Sequence, residues 1–336
     1  MTTQTDLKPA RRPPVGPLLG RVARLPKAGQ AGLLALGVGV AVWLPNGIYS
    51  GVAMDMLCWA LFAVSVDLLL GYTGLLSFGH AAFWGTAAYS TALLAVHAHV
   101  VFPIAVLAGA GASAVLALPI GYLAVRRTGI YFAMVTLAFA QMVYYVANEW
   151  RSVTGGENGL QGVPRELFGL DLSDTYYLYY AALPIAAAGL FAAWRIVNSP
   201  FGRVLVSIRD NPARTRALGY SVRRYKITAF VLSAYLAGLG GGLFAIAHGF
   251  VSLDTVHWTT SGEAVIVVVL GGIGTLWGGV IGSVLLVWLE DRLSVAGFTL
   301  VGLITGSIFV VVVLAFRRGI WGTVRALFHR ERDGRR

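Results

Sequence analysis

The chain has 336 residues, 57% of them hydrophobic and only 12% charged, whereas soluble domains average about 45–50% apolar and about 25% charged. The single cysteine, Cys58, excludes an intrachain disulfide and a cysteine-based zinc site, and apolar runs of membrane length exclude a soluble enzyme or a disordered chain. The net charge of +11 does not point to nucleic acid, because 23 of the 26 Lys and Arg residues fall in patches at 1–30, 126–127, 195–226 and 317–336 that flank apolar segments. The positive-inside rule produces that distribution, with the patches near anionic lipid.

Residues 1–30 carry five prolines among basic residues and read as a disordered cytoplasmic tail. Apolar segments follow at 31–45, 52–70, 75–96, 101–125, 130–148, 176–197, 226–247, 264–273, 276–289 and 298–316. The first reads as a retained helix, since no clear cleavage site follows it. Segments 264–273 and 276–289 are each shorter than a span of about 20 residues. They form either one long helix or two short elements broken at Gly271-Gly272-Ile273-Gly274. Keeping every basic patch on one face requires two crossings or none from this region, which disfavours a single long one. The loop at 149–175 holds five acids and two arginines, and 248–263 has no Lys or Arg; both read as outer loops. The prediction is an all-α polytopic membrane protein of about ten membrane elements, one or two of them short or re-entrant. Its transmembrane domain would span 31–316, with cytoplasmic helices at 198–225, and basic cytoplasmic tails would occupy 1–30 and 317–336.

Two glycine-rich stretches echo each other: Gly71-x-x-Gly74-x-Leu76-x-x-Gly79 recurs 200 residues later as Gly271-x-x-Gly274-x-Leu276-x-x-Gly279. Paired broken helices mark the substrate path in many transporters, although a chain with 42 glycines also produces such echoes by coincidence. The candidate path residues are Asp67, Gly71, Gly74, Ser77, Gly79, His80, Gly271, Gly272 and Gly274. Asp67 is an ionisable group deep in an apolar segment and hence a functional candidate by default. It would bind a substrate ammonium or a proton, or cap the Gly71 turn. Gln141 and Asn148 read as interhelical glue. Trp84, Trp150, Trp258 and Trp277 read as interfacial anchors, and His97 and His99 as interface residues rather than metal ligands.

Between the sixth and seventh segments lies GRVLVSIRDNPARTRALGYSVRRYK, at 202–226. Ser199-Pro200 reads as a helix start, with short apolar stripes at Val204, Leu205 and Ile208. Asp210-Asn211-Pro212 can cap a second short helix, and Gly219 can stop it. Such a pair suits docking into a partner groove or resting on lipid.

These residues resemble the coupling segment of permease subunits in bacterial ABC importers, most nearly the M-type subunit of branched-chain amino-acid permeases. Residues 71–89 (GYTGLLSFGHAAFWGTAAY), 126–142 (RRTGIYFAMVTLAFAQM), 154–164 (TGGENGLQGVP) and 270–282 (LGGIGTLWGGVIG) are similar to further motifs of that family. The resemblance runs from about residue 57 to 322. It implies alternating access beside a homologous permease, two ABC ATPase subunits and an extracytoplasmic solute-binding protein, in a bacterial inner membrane with both termini cytoplasmic. It implies ATPase coupling through Gly202, Arg203, Ile208, Arg209, Ala217, Leu218, Gly219 and Lys226, with Arg203 and Arg209 bridging to ATPase acids in preference to lipid phosphate. It also marks an outer loop at Thr154, Gly155, Gly156 and Gly159. The implied substrates are leucine, isoleucine and valine, with urea and short amides as the alternative within the family. The family commonly has an Asn-like residue at position 67, which favours a structural hydrogen bond for Asp67. Two positions depart from the family pattern: Pro212 stands where it usually has Glu, and Arg317 where it has Pro.

No P-loop and no H-E-x-x-H motif occurs, so no catalytic residue, metal site or cofactor is predicted, and ATP hydrolysis is expected on separate subunits. A proton-coupled secondary transporter that titrates Asp67 is the rival from another class. A membrane enzyme would need convergent polar residues at one depth, and the sequence offers no such cluster.

Overall fold

A computed structural model describes Gly39 and residues 42–167, 169–297 and 301–315. Apart from Gly39, these belong to one compact unit that begins at Val42. Both predicted tails and most of the first apolar run lie outside the described residues.

After a helical stretch at 42–47, four long helices follow: α1 (Ser50–Thr73), α2 (His80–His97), α3 (Phe102–Ala124) and α4 (Ile130–Glu149). The short α5 (Arg151–Thr154) and a small-strand loop precede α6 (Thr175–Val197). Two short helices, α7 (Pro200–Asp210) and α8 (Pro212–Ala217), lead into α9 (Val222–His248). The chain continues through α10 (Trp258–Gly271), α11 (Trp277–Val295) and α12 (Val301–Ala315). Among the described residues, α1, α3, α4, α6 and α9 are long and apolar enough to cross a membrane. The protein is an all-α polytopic membrane protein. Among the described residues, extended structure is confined to two-residue strands: β1 (Leu160–Gln161) pairs antiparallel with β4 (Phe250–Val251), and β2 (Glu166–Leu167) with β3 (Leu170–Asp171).

Caps set the boundaries. Gly74, with φ 71°, ends α1 in the left-handed region, which costs glycine little. Asp174 caps α6 by accepting from the Tyr176 amide at 2.9 Å. Gly249, with φ 73°, stops α9. Most elements match the expected apolar segments within a few residues.

Two helices begin away from the starts of their apolar runs, and 264–289 forms two elements, the alternative that the placement of the basic patches favours. The segment expected from residue 75 becomes helical only at His80, because 74–79 runs as non-helical chain from the Gly74 cap. The region 264–289 is not one long helix. A Cβ placed on Gly271 would overlap the Gly278 carbonyl, and one on Gly282 would overlap the Val267 carbonyl. Contacts whose residue numbers rise on one side as they fall on the other define an antiparallel pair, so α10 and α11 form a helical hairpin. α10 also starts six residues before the apolar run, because Thr259, Thr260 and Ser261 masked its first turn.

α1 and α9 form the centre and are buried on nearly all sides, as helices apolar all round must be. Small residues let backbones approach. A Cβ on Gly240 would sit 2.9 Å from the Cys58 carbonyl, and one on Gly241 would overlap the Trp84 carbonyl. Trp84 is therefore no interfacial anchor: it is 1% exposed and packed on Phe62 with ring centroids 4.6 Å apart. Its indole fills the space those glycines leave. Trp150 and Trp258 do lie exposed.

Candidate functional site

The two glycine motifs meet. Asp67, near the end of α1, accepts from the Gly274 amide at 2.7 Å through Oδ1. A Cβ on Gly71 would lie 2.5 Å from that same amide nitrogen. The Leu276 amide approaches the Tyr72 hydroxyl at 3.5 Å. Gly74 and Gly274 adopt the same left-handed backbone, φ 71° and 74°. Each motif thus ends a helix and turns, and the turns cross with only hydrogen atoms between their backbones.

Arg209 joins this crossing from α7. Its Nη1 donates to the Gly71 carbonyl, while Nε and Nη2 each donate to Asp210 Oδ1 at 3.2 Å. A Cβ on Gly74 would stand 2.8 Å from Arg209 Cγ, so that glycine leaves room for the arginine stem.

A second polar node lies where α2 begins. Ser233 Oγ of α9 donates to the Ser65 carbonyl at 2.6 Å and stands 2.7 Å from His80 Nε2. Ser261 Oγ of α10 accepts from the Ala81 amide at 2.7 Å. Thr136 Oγ1 of α4 accepts from the Phe78 amide at 3.2 Å, and Ser77 Oγ from the Gly79 amide at 3.2 Å. His80 is therefore level with Ser65, about 12 Å along α1 from its end, and 74–79 climbs that distance without helical bonds. Thr136, Ser261 and Ser77 take backbone amides freed at the break, while Ser233 links the His80 ring to the Ser65 carbonyl. Sequence reading missed Ser65, Thr136, Ser233 and Ser261, although small hydroxyls inside apolar helices were the available signal.

The predicted path residues thus occupy two places. Asp67, Gly71, Gly74 and Gly274 meet at the crossing, with Gly271 and Gly272 in the adjoining hairpin turn. Ser77, Gly79 and His80 belong to the upper node. Asp67, Ser77 and His80 are 0–2% exposed, Gly71, Gly79, Gly271, Gly272 and Gly274 are buried, and Gly74 is exposed.

At the end of the bundle that carries α7 and α8, Ser199 caps α7 and Asn211 caps α8, with Arg214 donating its amide to Asn211 Oδ1 at 2.9 Å. Pro200 and Pro212 each occupy a first helical position. Pro212 thus serves as a helix-starting proline. Gly202, Ile208 and Lys226 face inward and are buried, whereas Arg203, Ala217, Leu218 and Gly219 face outward. Leu218 is 71% exposed. Arg223 and Arg126 both sit over the Tyr122 ring, 4.2 Å and 4.9 Å from its centroid, pinning the start of α9 to the end of α3.

The opposite end is closed by the 154–165 loop. Thr154 Oγ1 donates to the Trp150 carbonyl at 2.9 Å, and Gly155, Gly156 and Gly159 all have positive φ. A Cβ on Gly159 would overlap the Val251 carbonyl. Arg165, not singled out from sequence, donates from Nη2 to the Ala247 carbonyl at 2.6 Å and from Nε to the Ile246 carbonyl at 3.2 Å. It caps α9 where terminal carbonyls lack partners. Beyond it, the Ser173 hydroxyl and amide donate to Asp171 and hold its carboxyl below the usual carboxylate range. His248 Nε2 and Asp55 Oδ1, 2.9 Å apart, join the same ends of α9 and α1.

Broken apolar helices crossing at glycines, above an amphipathic helix pair, define a multi-pass membrane permease. The chain belongs to the family described as branched-chain amino acid transport system / permease component, whose profile matches residues 48–315. It is 32% identical over 283 residues to the high-affinity branched-chain amino acid transport system permease protein LivM of Escherichia coli K12, covering 76% of this chain and 65% of that protein. LivM of Salmonella typhimurium LT2 gives the same identity and coverage. The autoinducer 2 import system permease protein LsrC of Klebsiella pneumoniae is 32% identical over 148 residues, 42% of each chain. The match spans just under two thirds of the length of the LivM relatives. No solved structure matches the chain.

Proposed function

We propose that the chain is the transmembrane permease subunit of an ATP-driven ABC importer. In this reading it moves leucine, isoleucine, valine or a related small neutral solute inward by alternating access. It acts with a homologous permease, two ATPase subunits and an extracytoplasmic solute-binding protein. The end bearing α7 and α8 is cytoplasmic, and so are both termini, in a bacterial inner membrane.

The α7–α8 pair is the observation that carries this reading. Leu205 and Ile208 bury one side of the pair beneath the bundle, while Arg203, Arg214, Arg216 and Leu218 stand exposed on the other. An apolar anchor with a basic, Leu-bearing outer face gives an acidic partner groove something to grip. Ligand-sensitive contact there would bias two arrangements of the bundle, as coupled transport requires.

All the predicted path residues but Gly74 are buried within the chain, which supports a route for solute along a face of the chain rather than through it. Of the long, exposed helices α3, α4 and α6, α4 bears an amide near mid-helix on its outer face: Gln141, beside Met134, Ala138 and Met142. An amide facing hydrocarbon is costly, whereas the same amide against a second permease or a solute is satisfied.

Purification of the tagged chain from native membranes in mild detergent tests the assembly, and reconstitution with the recovered subunits tests transport. P-loop ATPases and a second permease should be recovered, and labelled leucine uptake should require ATP. A chain that emerges alone and transports without ATP overturns the reading. Competition by urea or short amides, but not by valine, would reassign the substrate within the family.

A further inference from the structure

In the proposed importer, an arginine on the coupling segment would be expected to reach outward for acids on the ATPase. Arg209 reaches the other way. Its guanidinium is a rigid fork, and all three nitrogens are engaged within the chain: Nε and Nη2 by Asp210, Nη1 by the Gly71 carbonyl. The Gly71 carbonyl lies in the last turn of α1, where carbonyls lack helical partners. The amides of Gly74 and Leu75, which might have served it, both turn back to the Leu69 carbonyl. A cation at a helix C-terminus is also electrostatically favoured.

Past Gly71 the chain of contacts continues. Gly71 packs on the Gly274 backbone, and Asp67 Oδ1 holds the Gly274 amide at 2.7 Å. A Cβ on Gly274 would lie 3.5 Å from Arg209 Nη1. One exposed helix is therefore tied, through one side chain, to both glycine breaks.

We propose that Arg209 is a positioning residue: a strut that passes movement of α7 directly to the crossed breaks at 71–74 and 271–276, rather than a docking contact for the ATPase. This rests on the importer reading above. A flexible or absent strut leaves α7 free to follow the ATPase while the breaks stay still, so ATP is hydrolysed without solute moving.

The test uses the full reconstituted assembly in proteoliposomes and reads uptake and ATP hydrolysis together. R209A should keep normal recovery of ATPase subunits and normal hydrolysis, while uptake per ATP falls about tenfold, the scale of losing a charge-assisted hydrogen bond. R209K, which can still donate to the Gly71 carbonyl, should restore part of that ratio. An unchanged uptake-to-ATP ratio in R209A overturns the strut. Loss of ATPase recovery also overturns it, by making Arg209 a docking residue. If R209A fails to insert, D210A, which removes the acceptor of Nε and Nη2 at an exposed position, replaces it; there an unchanged ratio overturns the strut and a lowered ratio supports it. Failure of the unmodified assembly to couple uptake to ATP would instead strike the importer reading itself.

Discussion

Asp67 holds the Gly274 amide with Oδ1, while its fully buried Oδ2 has no hydrogen-bond partner. A buried carboxylate with one unmatched oxygen is costly as an anion, so the position needs an acceptor rather than a charge. D67N preserves that acceptor and should keep ATP-driven uptake within about twofold, whereas D67L leaves the amide unpaired and should destabilise the fold by about 1–3 kcal/mol. Uptake assays with both variants check this, and loss of transport in a well-folded D67N would revive the proton-coupled rival. The glycines separate in the same way. G71A forces a methyl into the Gly274 backbone and should cost about 1–3 kcal/mol by overpacking. G111A, on α3 with nothing within 4 Å of the added carbon, should be neutral or gain about 0.5–1 kcal/mol from helix propensity. Thermal unfolding in detergent, followed by size-exclusion fluorescence, ranks the two.

Elements were legible in the sequence wherever apolar length and end-caps agree. α1, α3, α4, α6 and α9 follow from runs of membrane length closed by Gly or loop residues, and α7 and α8 from Ser199-Pro200 and Asn211-Pro212. The start of α2 was not legible, because 75–79 is as apolar as a helix and the partners of the Phe78 and Ala81 amides, the hydroxyls of Thr136 on α4 and Ser261 on α10, are far off in sequence. The crossing of the glycine motifs was half visible. Their shared spacing marked two breaks, but contact between residues some 200 positions apart depends on packing that local pattern does not encode. The bond from Arg209 to the Gly71 carbonyl was not legible for a related reason: that carbonyl is left without a helical partner only once α1 has ended. The outer face of the α7–α8 pair carries its own expectation. L218D should lower ATPase recovery while leaving membrane insertion intact, because Leu218 makes no core contact, whereas I208D should abolish stable expression by burying a charge. Equal loss of ATPase recovery and expression in both would remove Leu218 from the docking face.

At the scale of the whole molecule, the question is which flank meets another subunit. Exposed residues on α3, such as Leu107, Val115, Leu118 and Leu123, are bulky and apolar, as a lipid-facing surface requires. α6 presents Tyr177 and Phe191 in the same way. The outer face of α4 differs, with Met134 and Met142 flanking Gln141: flexible thioethers that adapt to a changing neighbour, and an amide that hydrocarbon does not satisfy. A face that alternately meets a second permease and a small neutral solute would have this composition. The chain is already suited to a direct test, because its one cysteine, Cys58, is fully buried and unreactive to mild oxidants. M142C, paired with cysteines introduced along the matching helix of the second permease, should give an oxidised product of two permease chains in native membranes. L118C on α3 should remain uncrosslinked under the same conditions. Q141L should then lower uptake without reducing the yield of that product, since it removes a polar contact on the path but keeps the packing surface. Cross-linking at Leu118 in place of Met142 would move the subunit interface to α3, and the route for solute with it.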